Sequence, residues 1–308
     1  MKYFKHALIT GCSGDLGFAL CEYLVKNNIC SHLSLIIRSD KNIERLQNLV
    51  TLYKAKIDFY YLDIRDDVKM QITIKEMFSL EPLDLVIANA GISLSTKKEL
   101  YEYKEKQDNK DTNNSKDLSS VYNNVKKDRK NPSINLEDLN EINRAFDVNA
   151  KGTIKTIYLV LKEYLSQKSL KKKHLNVVAI SSLASLINMP SSPLYCASKC
   201  AINSYVNSLE PSFYKYGVKT NLVLPGFVDT DMSRRYKGNK AMIYTKEKAA
   251  KIIIEGILKN KRKIVFPFML YLGIILLNHL PYSMQKYFIA KFAFSVDPDM
   301  ENRSKIVK

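Results

Sequence analysis

The sequence predicts an α/β fold built on a doubly wound parallel β-sheet in a single domain. Seven short runs rich in Val, Ile and Leu alternate with longer segments of helical spacing. Near-continuous apolar runs of this kind are typical of parallel strands that are buried on both faces. A glycine-rich turn follows the first run, and 308 residues with 46% hydrophobic content are sufficient for one large core.

The predicted strands follow one another with helical segments between them. In order, the strands are HALITG, LSLIIR, KIDFYYLD, LDLVIANAG, LNVVAISS, TNLVLPG and RKIVF. The clearest predicted helices are DLGFALCEYLVKN, NEINRAFDVNAKGTIKTIYLVLKEYL and CASKCAINSYVNSLEPSFYKY. This alternation predicts the βαβ units of a Rossmann-type sheet.

Two segments depart from the alternation. Residues 93–132 are rich in Lys, Asn, Asp and Ser and poor in aliphatic residues, so they cannot bury a core. We predict a disordered insertion there, with a functional lid as the alternative. The core domain is expected to span residues 1–266, and residues 267–308 form an apolar extension with basic flanks.

Cysteine usage and charge limit the classes of protein to consider. The five cysteines include no CxxC pair, so we expect neither disulfides nor a metal site. The start MKYFKHALITG has no long apolar stretch of a secretory signal, which predicts a cytoplasmic protein. The net charge is +17. No recognition motif or stacking platform accompanies that charge, so nucleic-acid binding is not predicted.

The glycine-rich turn ITGCSGDLGFAL lies between the first strand and the first helix. Gly11, Gly14 and Gly17 let the backbone approach a phosphate closely, and the helix start offers free N–H groups and a positive dipole end. A glycine-rich turn at this place in a βαβ unit predicts a dinucleotide site.

Tyr195 and Lys199 stand one helical turn apart in SSPLYCASKCAINS. In a helix both side chains lie on one face. A lysine ammonium beside a tyrosine favours the phenolate and lowers the tyrosine pKa from about 10. The pair therefore predicts acid–base chemistry, although an isolated pair of this spacing is more often an ordinary surface feature.

The ordered motifs resemble those of the short-chain dehydrogenase/reductase family over nearly all of residues 4–266. TGCSGDLG resembles the TGxxxGxG loop, ANAG the NNAG strand end, and LPGFVDT the PGxVxT segment. LDIRD and DVNAKG resemble the segments that carry an adenine-contacting Asp63 and an active-site Asn149. Ser182 stands thirteen residues before Tyr195, which is the family's usual spacing.

The resemblance implies a catalytic set of Asn149, Ser182, Tyr195 and Lys199. Ser182 would hydrogen-bond a substrate carbonyl, Tyr195 would donate a proton, Lys199 would hold the nicotinamide ribose, and Asn149 would anchor a water. Cofactor contacts are expected from Gly11, Ser13, Gly14, Asp15, Leu16, Gly17, Arg38, Asp63, Ile64, Asn89, Ala90, Gly91, Tyr195, Lys199, Pro225, Gly226, Val228 and Thr230.

Two positions depart from the family pattern. Asp15 replaces the middle glycine of the loop, and we expect its carboxylate either to point away from the pyrophosphate or to cap the following helix. Ala88 replaces the first Asn of NNAG, which removes one strand-to-strand hydrogen bond. Both departures support the alternative of a catalytically weak Rossmann-fold binding protein at a membrane surface.

Arg38 favours NADP(H) over NAD(H). The second strand ends LIIRSD, so the acid that grips ribose hydroxyls in NAD-binding members is replaced by Ile37. Arg38 follows and can bind a 2′-phosphate in a charge-assisted manner. Asp40 supports the NAD alternative, because a shifted register would bring it to the ribose.

The C-terminal segment leaves two interpretations open. Phe268–Leu280 is apolar and lies between Pro267 and Pro281, which is short for a membrane span. Flanking lysines and arginines favour peripheral or monotopic contact with an anionic membrane surface. The alternative is a roof over the substrate pocket or a homo-oligomer contact. We predict reduction of a hydrophobic, lipid-like ketone with NADPH, and the sequence does not name the substrate.

Overall fold

A computed structural model describes residues 3–93, 139–167, 174–189, 192–237, 240, 242–291 and 295–296. Apart from Ser93, the predicted insertion at 93–132 lies outside the described residues, so that prediction stays a prediction. The same holds for the end of the C-terminal extension beyond residue 296.

A seven-stranded parallel sheet forms the centre of the molecule, and each of the seven predicted runs contributes one strand. The strands are β1 Phe4–Thr10, β2 Cys30–Ile37, β3 Lys56–Tyr61, β4 Leu85–Ala88, β5 Leu175–Ile180, β6 Val218–Pro225 and, later in the chain, β10 Lys263–Phe266. Their order is β10-β6-β5-β4-β1-β2-β3, with every pair parallel. The order reverses between β1 and β4, where open α/β sheets bind their ligands.

Helices cover both faces of the sheet, as predicted. They are α1 Asp15–Lys26, α2 Ile43–Tyr53, α3 Asp67–Leu80, α4 Leu139–Ala145, α5 Thr153–Ser166, α6 Pro193–Phe213, α7 Asp231–Arg234, α8 Lys246–Leu258, α9 Phe268–Asn278 and α10 Tyr282–Lys291. Helices α1, α2 and α8 pack on one face, and α3, α5 and α6 pack on the other. The strand residues are buried between the two helical layers, which is why the sequence shows continuous apolar runs.

Short strands complete the carboxyl edge of the sheet. They are β7 Val228–Asp229, β8 Tyr236–Lys237, β9 Tyr244–Thr245 and β11 Ser295–Val296. β7 pairs with β9 in parallel, and β8 pairs with β11 in antiparallel orientation. The C-terminal extension therefore returns to the loop that follows α7.

The extension lies against the core domain through α9. Ile274 is buried, and Asn278 Nδ2 donates a hydrogen bond to the Leu186 carbonyl at 2.7 Å. Within the described ranges, no helix has both the length and the apolar character needed to cross a membrane.

The basic flank that precedes the apolar segment does not surround it. Lys259, Lys261 and Arg262 come before β10, whereas α9 follows the strand. A strand of this length separates the two groups by about 13 Å, and Arg262 forms an ion pair with Glu210. The basic residues before β10 are therefore at the opposite edge of the sheet from α9, whereas Lys286 lies in α10, the helix that follows the apolar segment.

Candidate active site

A continuous cleft of about 1320 Å³ opens at the carboxyl edge of the sheet. Every residue predicted to contact cofactor lines it, and so do Ser182, Tyr195 and Lys199. Asn149 is the exception, because its side chain is completely buried behind the cleft wall. The fold thus brings together residues that lie between positions 11 and 230 of the sequence.

The glycine turn has no room for side chains at two of its positions. Gly11 has a φ of +70°, and a Cβ there would lie 2.8 Å from the Ala90 Cα. A Cβ at Gly17 would lie 2.3 Å from the Gly11 carbonyl oxygen. Helix α1 begins at Asp15 with Gly14 as its N-cap and no side-chain cap. Its free N–H groups therefore face the cleft, where they fit a dinucleotide pyrophosphate.

Asp15 does not cap α1, contrary to one of the two expectations for it. One carboxylate oxygen accepts a hydrogen bond from the Asp231 N–H at 2.8 Å, and the other lies 3.4 Å from Arg45 and 3.5 Å from Lys246. Burial opposes ionisation, but these partners together hold the pKa of Asp15 below its usual value. The carboxylate is neutralised locally and ties α1 to α7 and α8, which explains how an acid is tolerated beside a phosphate site.

Asn89 provides hydrogen bonds between strand ends in place of the one that alanine at position 88 was expected to remove. The Asn89 side chain donates hydrogen bonds to the carbonyl oxygens of Thr10 and Gly11 at 3.1 and 3.2 Å. The backbone N–H groups of Asn89 and Ala90 both donate to Thr10 Oγ1 at 3.1 Å. Ala88 itself is buried in the core. The ends of β1 and β4 therefore stay joined without the missing asparagine.

Ser182, Tyr195 and Lys199 converge beside the end of β5. Ser182 follows that strand, and Tyr195 and Lys199 lie one turn apart in α6. The Ser182 Oγ accepts a hydrogen bond from the Ala184 N–H at 3.1 Å and donates one to the Pro225 carbonyl oxygen at 3.4 Å. The Lys199 Nζ donates to the Ile180 carbonyl oxygen at 2.9 Å and lies 5.9 Å from the centre of the Tyr195 ring.

The expected lowering of the Tyr195 pKa is not seen in this arrangement. Burial raises the pKa of Tyr195 to about 12, against an opposing contribution from the Ser182 hydroxyl. Burial also lowers the pKa of Lys199 to about 8. The lysine charge favours the phenolate, but the loss of solvent affects the pKa of both groups more strongly here. Tyr195 is consequently a protonated phenol at neutral pH.

Asn149 lies in π-helical turns, Phe146–Gly152, that join α4 to α5. Its Oδ1 accepts from the Ile92 N–H at 2.7 Å, and its Nδ2 donates to the Ile92 carbonyl at 3.0 Å and to Ser198 Oγ at 3.2 Å. A Cβ at Gly91 would lie 3.3 Å from both Asn149 Oδ1 and Lys199 Nζ. Asn149 therefore holds the strand end beside Lys199, and its expected role as a water anchor stays a prediction.

Arg38 and Asp63 lie at the far end of the cleft from Tyr195's helix. Arg38 follows β2, is exposed and lines the cleft, whereas Asp40 does not line it. Asp63 accepts three hydrogen bonds from the Arg65 guanidinium, at 2.8 to 3.1 Å. Burial opposes ionisation, yet Arg65 and the nearby Arg38 keep the pKa of Asp63 below its ordinary value. The Arg38 guanidinium and the Asp63 carboxylate therefore lie close to the ends of β2 and β3, at the carboxyl edge of the sheet.

The residues that line the cleft beyond Tyr195, where a substrate would lie, were not predicted from the sequence as site residues. Tyr236 is buried and packs edge-to-face on Phe227, with ring centres 6.0 Å apart. Phe227 lies inside the LPGFVDT motif, but no local pattern distinguishes Tyr236. Residues of helix α9 line the rest of this end of the cleft.

One cluster outside the cleft has metal-ligand chemistry among the described residues. His6, His32 and Glu81 place ligand atoms within 4.8 Å of one another. The two imidazoles are stacked with a 2° interplanar angle, and their nitrogens hydrogen-bond to Glu81, Ser34 and Asp58. Parallel stacked rings cannot both direct a lone pair at one ion, so this cluster is a hydrogen-bonded pair in the sheet.

Comparison with known proteins assigns the family. The short chain dehydrogenase family pattern matches residues 5–115 and 109–241. The 3-oxoacyl-(acyl-carrier-protein) reductase FabG of Rickettsia conorii is 24% identical over 229 residues, which cover 74% of this chain and 75% of that protein.

Two solved structures show the same fold. The alcohol dehydrogenase from the archaeon Thermococcus sibiricus, complexed with 5-hydroxy-NADP, has a TM-score of 0.61 at 19% identity and covers 84% of this chain and 93% of that one. The 3-oxoacyl-(acyl-carrier protein) reductase from Brucella melitensis in complex with NAD has a TM-score of 0.62 at 17% identity and covers 85% and 92%. The family pattern spans most of the chain. The chain therefore belongs to the short-chain dehydrogenase family and is an NAD(P)-dependent oxidoreductase that acts on a carbonyl/alcohol pair.

Proposed function

We propose that the protein reduces a hydrophobic ketone with NADPH, using Tyr195 as the proton donor. The observation that carries the proposal is the convergence of Ser182, Tyr195 and Lys199 in one cleft with the glycine turn. In a bound state, the nicotinamide coenzyme supplies a hydride to the carbonyl carbon. The chain's own residues must then hold the carbonyl and protonate its oxygen.

Ser182 and Tyr195 are placed for that task. Their hydroxyls lie on the same side of the cleft and interact closely enough for Ser182 to affect the pKa of Tyr195, so one carbonyl oxygen can accept from both. Tyr195 is protonated at neutral pH and can deliver its proton as negative charge grows on that oxygen. The Lys199 ammonium then stabilises the phenolate that remains until a proton returns from solvent. Ketone reduction consumes one hydride and one proton, and the alcohol retains both.

Arg38 supports NADPH as the coenzyme. Its guanidinium is exposed at the cleft and lies near Asp63, at the end that the glycine turn assigns to the adenosine. A guanidinium binds a phosphate through paired, charge-assisted hydrogen bonds, whereas it offers nothing specific to two ribose hydroxyls. Asp40, the residue that favoured NAD, is not part of the cleft wall.

A hydrophobic substrate is supported by the wall beyond Tyr195. Phe227, Tyr236 and the residues of α9 make that end of the cleft apolar. The outer surface of α9 and α10 also exposes Phe268 and Tyr287. We propose peripheral contact with a membrane surface at this place, driven mainly by apolar area because most of the basic flank is at the other edge of the sheet.

The experiment is a comparison of the purified wild-type protein with its Tyr195→Phe variant in NADPH oxidation with a panel of ketones. Wild type should turn over at least one apolar ketone, and Tyr195→Phe should lose nearly all turnover while NADPH binding, measured by the fluorescence of NADPH itself, stays within about three-fold. A variant that retains more than a tenth of the wild-type rate would show that Tyr195 is not the acid. Wild-type protein that binds NADPH and reduces nothing would favour the alternative of a binding protein.

A further inference from the structure

Helix α9 is held against both sides of the proposed reaction centre. At its end, Asn278 donates a hydrogen bond to the Leu186 carbonyl in the short helix that follows Ser182. At its start, a Cβ on Gly226 would lie 2.8 Å from Pro267 and 3.4 Å from Leu270. These contacts join α9 to the serine loop and to the segment that would hold the nicotinamide. The position of α9 relative to Ser182 is therefore set by packing on two independent elements.

One face of α9 runs along the cleft. Met269, Gly273 and Leu277 line it at intervals of four residues, which place them on one side of the helix. Leu270, Ile274 and Leu276 line the cleft beside them. Leu280 continues the same line just beyond the helix. From Met269 to Leu277 this face extends about 12 Å along the helix axis. None of these side chains has a hydrogen-bonding group, so the face suits methylene groups rather than a polar substituent.

Gly273 interrupts this face for no evident backbone or packing reason. Its φ is not positive, whereas Gly11 and Gly217 have the positive-φ conformations among the described glycines. A Cβ at Gly273 would meet no atom of the described residues within 4 Å, in contrast to Gly226 and Gly256, where a neighbouring side chain lies within 2.8 Å. Glycine inside a helix is unfavourable relative to alanine. Gly273 therefore leaves open space in the cleft wall.

We propose that the space over Gly273 forms a groove for the apolar chain of the substrate, so that Gly273 sets the chain length that the enzyme accepts. The carbonyl of such a substrate lies at Ser182 and Tyr195, and its chain extends along α9 toward Leu280. The substrate class is a ketone with an unbranched alkyl or acyl chain. This inference rests on the proposed ketone reduction, and it adds the identity of the residue that determines specificity.

The test measures kcat/KM with NADPH for methyl ketones from butanone to tridecanone. Wild type should prefer the longer ketones, by up to about four-fold for each methylene that enters the groove. In Gly273→Leu the new side chain occupies the groove, and the ratio of kcat/KM for tridecanone to that for butanone should fall at least ten-fold. An unchanged ratio in Gly273→Leu, or a wild-type enzyme with no preference for chain length, would overturn the proposal.

Leu272→Phe is the matched control. Leu272 neighbours Gly273 in the same helix and is partly exposed, but it does not line the cleft. Added volume there should leave the ratio as in wild type. Thermal unfolding of both variants checks that α9 remains folded, and Gly273→Ala, which adds one methyl group without a clash, should give an intermediate ratio.

A binding measurement separates this inference from the proposed reaction. The fluorescent fatty acid cis-parinaric acid reports on an apolar groove without any turnover. Wild type should bind it, Leu272→Phe should bind it equally, and Gly273→Leu should bind it at least ten-fold more weakly. If no ketone is reduced but this pattern holds, the proposed function fails and the groove stands; equal binding by Gly273→Leu overturns the groove.

Discussion

Asn149→Ala should destabilise the protein as well as reduce its activity. The Asn149 side chain is fully buried and satisfies both the N–H and the carbonyl of Ile92, at 2.7 and 3.0 Å. Its third partner, Ser198 Oγ, keeps a hydrogen bond to the Tyr195 carbonyl oxygen at 2.9 Å. The variant therefore leaves two backbone groups of the half-buried Ile92 without their side-chain partner.

The magnitude follows from those two groups. Each unsatisfied buried group costs about 1–3 kcal/mol, and water that enters the cavity reduces the cost, so we expect a loss of about 2–4 kcal/mol in the free energy of unfolding. For a domain of this size that corresponds to a fall in Tm of about 5–10 °C. Turnover should also fall, because the released strand end carries Gly91, which lies beside Lys199.

The assay is thermal unfolding followed by circular dichroism, with turnover measured on the same samples below the transition. Asn221→Ala is the control, since Asn221 is equally buried but donates one side-chain hydrogen bond, to the Lys261 carbonyl, and does not line the cleft. It should lower Tm by less and leave kcat unchanged. If Asn149→Ala loses activity with a Tm within about 2 °C of wild type, Asn149 acts in catalysis alone and the reasoning from its hydrogen bonds is wrong.

Three further outcomes are expected. Arg38→Ala should weaken NADPH binding at least ten-fold in fluorescence titration and NADH binding by less than three-fold; equal losses would remove the assignment of Arg38 to the 2′-phosphate. Lys199→Met should abolish turnover but raise the free energy of unfolding at pH 7 by about 1–3 kcal/mol. Burial lowers the Lys199 pKa from 10.5 to about 8, so wild-type stability should rise with pH between those values, and denaturant titrations of the Met variant should lack that rise. The full chain should sediment with anionic lipid vesicles at low and at high salt, and truncation after Phe266 should leave the protein in the supernatant. If the full chain does not bind such vesicles, the proposed membrane contact of α9 is wrong.

Several features follow from local sequence alone. The seven strands are recognisable because a parallel strand buried on both faces has to be apolar throughout, and LNVVAI of β5 is buried at every position. The glycine turn and the Tyr195–Lys199 pair are recognisable because their chemistry requires particular residues at short, fixed separations. Their place at the carboxyl edge of the sheet follows from the strand order alone.

Other features depend on residues that are distant in the chain, and only the tertiary structure decides them. The partners of Asp15 include Lys246 and the Asp231 N–H, more than two hundred residues away, so no local rule predicts that the carboxylate turns from α1. The Tyr195 pKa depends on how much solvent the surrounding elements exclude, and spacing within one helix does not report that. The position of Phe268–Asn278 is likewise decided by the tertiary structure. Its composition predicts that it is removed from water, but it does not predict whether the helix contacts lipid or lines a cleft. That depends on where β10 ends and on what Asn278 and Leu270 pack against.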